Sequence, residues 1–82
     1  MATTRWFVEL FYVSSVQKQH EVLETFYGIA GLVAFGASAG SHYIVGFECQ
    51  DYFRKVAAEL LLTGIDPGAV CTYDSTLDPG TT

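Results

Sequence analysis

The chain alternates short runs rich in β-branched and aromatic residues with segments whose apolar residues recur at helical spacing. Trp6-Phe7-Val8-Glu9-Leu10-Phe11-Tyr12-Val13 reads as a first strand. Ser14 and Ser15 then offer helix caps, with Gln17 three residues after Ser14. Val16, Gln19, Leu23, Phe26 and Ala30 fall on one helical face, and Lys18, Glu21 and Thr25 on the other. The spacing predicts a helix from about Ser15 to Tyr27, ended by Gly28 or Gly31.

Leu32 to Ala37 and His42 to Cys49 read as two strands of a hairpin, with Ala39-Gly40-Ser41 supplying the turn. Asp51 caps a second helix, whose apolar stripe of Phe53, Val56, Ala57, Leu60 and Leu61 is expected to be buried. Arg54, Lys55, Ala58 and Glu59 are then left to solvent, and Gly64 is the natural stop. Asp66-Pro67-Gly68 is a turn, and Ala69 to Asp74 a last strand.

The order β-α-β-β-α-β, with right-handed crossovers and both helices on one face, predicts an α+β fold. It is a ferredoxin-like sandwich with a four-stranded antiparallel sheet in the order 4-1-3-2. Residues 1–74 form one domain, and 75–82 a flexible polar tail. The order resembles that of ACT domains, small RNA-recognition domains and dimeric α+β barrel proteins. It is an order of elements only and carries no function by itself.

Side chains alternate across a strand, so each strand has two faces. The charge-free sets are expected to pack on the helices: Trp6, Val8, Leu10 and Tyr12 in the first strand, Tyr43, Val45, Phe47 and Cys49 in the third. The sets holding Glu9 and Glu48 then face away. That open face would carry Phe7, Phe11, Val13 and Ile44, with Leu32, Ala34 and Val70 from the flanking strands. An apolar patch of this kind usually marks an interface. Phe7, Phe11 and Ile44 are the expected contact residues, with Glu9, His42 and Glu48 around them.

Composition narrows the partners. Hydrophobic residues make up 50% of the 82 and charged residues 16%, the reverse of a disordered chain. The formal net charge is −5, and the four basic residues are scattered, which disfavours nucleic acid and anionic membranes. A basic protein partner suits the charge. Phe7 and Phe11 have the alternation of a base-stacking platform, but Glu9 and Glu48 would repel phosphates.

No Asp, Glu, Lys or Arg occurs from Thr25 to Phe47, a stretch long enough to cross a bilayer. Five glycines interrupt it and no basic cluster flanks it, so a buried hairpin is the better account. The N-terminus lacks the pattern of a signal peptide. Cys49 and Cys71 read as reduced thiols of a cytoplasmic protein, on strands too far apart for a disulfide.

Chemistry is thinly signalled. His42 at the start of its strand, placed beside Arg5 and Phe7, does not converge with Glu9 or Glu48 on a metal. His20 and Glu24 read as a helix-surface pair. No glycine-rich phosphate motif is present, and Gly36 and Gly46 would leave a shallow groove on the open face. No catalytic residue, metal or cofactor is assigned. The expectation is a small non-enzymatic interaction or regulatory domain, a homodimer through its open sheet. A barrel-type enzyme with an apolar pocket between two sheets, where His42 or Glu9 moves a proton, is one alternative. An ACT-like small-molecule sensor is the other.

Overall fold

The computed structural model describes residues 6–77, the side chain of Leu77 apart. The elements run β1 (Trp6–Val13), α1 (Val16–Tyr27), β2 (Leu32–Ala39), β3 (His42–Cys49), α2 (Tyr52–Ile65) and β4 (Val70–Leu77). The strands form one antiparallel sheet in the order β2-β3-β1-β4, which read from the β4 edge is 4-1-3-2. Both helices cover the same face. The architecture is α+β and compatible with a ferredoxin-like fold.

Local chemistry sets the boundaries. Ser15 caps α1, its hydroxyl accepting from the Lys18 backbone N–H at 3.2 Å. Asp51 caps α2 by accepting from Phe53 N–H at 2.7 Å. Its other carboxylate oxygen accepts from Arg54, whose Nε reaches the Ala30 carbonyl at 2.5 Å. That arginine ties the start of α2 to the α1–β2 loop. Gly64 does not stop the helix; α2 continues to Ile65 and ends at Asp66. Gly40 opens the two-residue β2–β3 turn with φ +60, a backbone angle that side chains resist. β4 runs to Leu77, so residues 75–77 are strand rather than tail. The tail's remainder, residues 78–82, lies outside the described residues.

Beneath the helices, Phe7, Phe11 and Val13 of β1 and Val45, Phe47 and Cys49 of β3 meet Val22, Phe26, Ala58 and Leu62. Phe47 is the hub: Phe26 meets it edge-on at 5.5 Å between centroids, and Phe11 stacks on it at 6.4 Å. Gln19 is also buried, and its amide nitrogen donates to the carbonyls of Ala37 and Ile44, both at 2.8 Å. This pins α1 onto the β2–β3 hairpin.

At one end of the sandwich a single carboxylate joins two connections. Buried Asp66 accepts from Ser14 N–H at 2.7 Å, from Ser14 Oγ at 2.6 Å and from Gly68 N–H at 3.1 Å. Burial alone would raise its pKa, but these bonds outweigh it and hold the carboxyl below its ordinary value. Asp66→Ala removes the acceptor and strands the Ser14 groups. A loss of about 1–3 kcal/mol of stability is expected, read from urea unfolding at neutral pH. A variant as stable as the parent would refute the clamp.

Candidate functional site

The faces of β1 are the reverse of the sequence expectation. Phe7, Glu9, Phe11 and Val13 point towards the helices, while Trp6, Val8, Leu10 and Tyr12 lie on the open side. The pairing fixes this, because Phe7, Glu9 and Phe11 stand opposite Cys49, Phe47 and Val45. The faces of β3 agree with expectation: Val45, Phe47 and Cys49 are buried, with Ile44 and Glu48 on the other side. Leu32 and Ala34 pack on the core and leave the open face, while Val70 remains on it.

Of the six residues expected at an interface, Ile44, His42 and Glu48 are therefore on the open face. Phe7, Phe11 and Glu9 are under the helices, with Phe7 and Phe11 only 7% and 6% exposed. Arg5 lies outside the described residues. His42 is not beside Phe7. β1 and β3 are antiparallel, Tyr43 pairs with Val13, and the His42 ring stacks on Tyr12 at 4.2 Å. His20 and Glu24 are both exposed on α1.

Glu9 enters the core because α2 brings charge to meet it. Lys55 Nζ lies 3.7 Å from Glu9 Oε2 and 3.2 Å from Glu59, and Asp74 of β4 stands opposite Glu9 in the sheet. Lys55 also lies over the Tyr52 ring at 5.4 Å. Glu9 Oε1 is buried with no hydrogen-bond partner. Burial above all, and then the Glu59 carboxylate, pushes the Glu9 pKa up from 4.5 to about 8; Lys55 only partly opposes this.

The same arrangement reverses α2. Phe53, Ala57, Leu60 and Leu61, expected inside, are exposed, whereas Ala58 and Leu62 are buried and Lys55 and Glu59 partly so. The signal for this was present in sequence: Lys55, Glu59 and Leu62 also recur at helical spacing.

The open face is now definable. β1 contributes Trp6, Val8, Leu10 and Tyr12; β3 contributes His42, Ile44, Gly46 and Glu48. Val33 and Phe35 extend it on β2, and Val70, Tyr73 and Ser75 on β4. Glu48 is its one formal charge among the described residues. The shallow groove expected at Gly36 and Gly46 does not form. Gly36 faces α1, beside Leu23 and Gln19, while Gly46 lies beneath the Phe35 ring and Leu10, which occupy the place of a Cβ. An aromatic ring folded over a strand glycine levels the surface.

Among the described residues, two surface depressions stand out. The larger, about 650 Å³, lies at one end of the sheet among Trp6, Leu32, Glu48, Gln50 and Arg54. The smaller, about 440 Å³, lies between α1 and β2, beside His20, Leu23 and Tyr27. Among the described residues no group of three His, Cys, Asp or Glu side chains could hold a metal ion. Nor is any described helix long and apolar enough to cross a membrane. Cys49 and Cys71 are free thiols on strands separated by β1, opposite Phe7 and Phe11 respectively. The chain matches no protein-family model, and no curated protein or solved structure is significantly similar to it.

The raised Glu9 pKa has a definite sign for stability. An acid that holds its proton more tightly when folded favours the fold at low pH and opposes it as pH climbs. Between pH 4.5 and about 8 the unfolded chain has lost a proton that the folded chain keeps, so this group's contribution falls across that window. Glu9→Gln, whose amide can donate to Glu59, is expected to flatten the decline and to raise stability in mild alkali. Thermal unfolding of both proteins from mildly acidic to mildly alkaline pH checks this. Equal pH dependence in parent and variant would rule it out.

Proposed function

We propose that this chain is a ferredoxin-like, non-enzymatic interaction domain that forms a homodimer by packing two open sheet faces together. The observation that carries the reading is the open face itself: four strands wide, apolar across its centre, levelled over Gly46 and bearing one formal charge among the described residues. Four strands of eight residues span roughly 20 by 25 Å, about 500 Å² in projection before side-chain relief is added. That is the scale of a standard interface, which buries about 800 Å² of accessible surface per partner.

The face suits a second copy better than a charged partner. Glu48 sits towards one end of β3, paired with Val8 and Val33. A two-fold axis through the middle of the sheet, near Leu10 and Gly46, sets the two glutamates at opposite ends. Trp6, Phe35 and Tyr73 supply the large rings that dominate contact energies. Filling of the Gly46 site by Phe35 and Leu10 favours a packed contact over a pocket between sheets. A cytoplasmic setting belongs to the same proposal and is supported by the free thiols.

Light scattering coupled to size exclusion tests it. The parent chain is expected to elute as a dimer or larger, and Leu10→Glu to lose the sheet contact by placing two carboxylates near the axis. Tyr73→Glu, at a half-exposed edge position, is the milder companion should Leu10→Glu unfold. A parent that stays monomeric at high concentration removes the proposal.

A further inference from the structure

The outward side of α2 is the second unexplained surface. Phe53 is 85% exposed, Leu60 67% and Leu61 41%, and Ala57 and Gly64 are exposed between them. Residues 53, 57, 60, 61 and 64 fall on one helical stripe. It points away from the sheet, since Lys55, Ala58, Glu59 and Leu62 occupy the inner side. Burying Glu9 and turning Lys55 and Glu59 towards it, while leaving a phenylalanine and two leucines in water, is costly on both counts. The helix is thus anchored with its more apolar side outward.

We infer that this stripe is a second self-association surface, on which α2 of another copy packs antiparallel. The order of large and small residues identifies the occupant. Turning a second α2 about the midpoint between Ala58 and Glu59 sets Phe53 against Gly64 and Leu60 against Ala57. Phe53 and Leu60 then each meet a small residue, while Leu61 meets Val56 at the margin of the stripe. At Gly64 nothing lies within 4 Å of the place a Cβ would take, so the notch is open to a ring from outside. A surface that fits its own two-fold image is what an isologous contact requires.

The stripe is one helix face, well short of the roughly 800 Å² per partner of a standard interface. Alone it gives a weak, concentration-dependent pair. Combined with the sheet contact, and resting on that reading, it gives more. The two surfaces lie on opposite layers, so their two-fold axes do not meet. Alternating sheet-to-sheet and helix-to-helix contacts therefore build an open stack rather than a closed ring.

Sedimentation velocity of the full chain, from micromolar to near-millimolar concentration, tests this. The parent is expected to grow beyond a dimer. Leu60→Glu and, independently, Phe53→Ser should stop at the dimer; both sites are exposed, so the fold is spared. Leu10→Glu should retain a weak dimer, and adding Leu60→Glu should weaken that by roughly tenfold or more, the worth of one buried leucine. Growth of Leu60→Glu beyond the dimer would overturn the α2 surface and leave the sheet dimer standing. So would a Leu10→Glu protein monomeric throughout. A dimer abolished by Leu60→Glu but not by Leu10→Glu would instead keep the helix contact and remove the sheet one. A parent that never exceeds a monomer removes both.

Discussion

The placement of Glu9 under α2 is the constraint from which the rest of this structure follows. A carboxyl in the middle of a core strand needs a partner, and Lys55 is the one basic group brought to it among the described residues. Once Lys55 faces the sheet, Glu59 one turn later comes with it, and the rotation of α2 about its axis is set. Phe53, Leu60 and Leu61 are then directed outward. On β1 the same choice sends Phe7 and Phe11 in and Trp6, Val8 and Leu10 out. One buried polar cluster, Glu9 with Lys55 and Glu59, thus decides the composition of both outer surfaces.

The arrangement is not an efficient way to stabilise a small domain. Breaking a buried pair is destabilising, but the intact pair gains little net energy after desolvation. Here Lys55 serves two carboxylates, and Glu9 Oε1 is left without a partner. What the cluster does provide is orientation. The buried carboxyl of Glu9 is met only in the rotation of α2 that brings Lys55 and Glu59 to it. Asp66 is the complementary case, with its oxygens taken up by Ser14 and Gly68 and its pKa held down. It is a closed structural joint, whereas Glu9 remains open to change with pH.

Element order and most boundaries were legible because they rest on local chemistry. Ser15 and Asp51 are caps by virtue of their own oxygens, and Gly40 marks its turn by a backbone angle. The strand faces were harder. β3 carries Glu48 on one face and Val45, Phe47 and Cys49 on the other, so its alternation is decisive. Both faces of β1 are apolar, and within Trp6–Val13 Glu9 is the one charge that distinguishes them. Taking that charge as a solvent marker is sound for a charge without a partner. It fails here because the partner is 46 residues away on α2, a separation that no local pattern encodes. The error on α2 is the same error seen from the other side of the pair, since Lys55 and Glu59 were also read as solvent-facing.

The reversal changes which residues form the open face but not that it is apolar. Had Phe7 and Phe11 faced outward, the face would have held Glu9 near its centre, a carboxylate in the way of any dry contact. With Glu9 withdrawn, Leu10, Ile44 and the Phe35 ring form an uncharged centre, and Glu48 stands towards the end. Burying a like-charged pair at an axis is far more costly than leaving two carboxylates at opposite rims. Removing Glu9 to the interior is therefore the step that leaves the centre of the sheet uncharged, as the proposed sheet-to-sheet contact requires. The exposed stripe on α2 is its counterpart on the other layer, because bringing Lys55 and Glu59 to Glu9 turns that helix's apolar side outward.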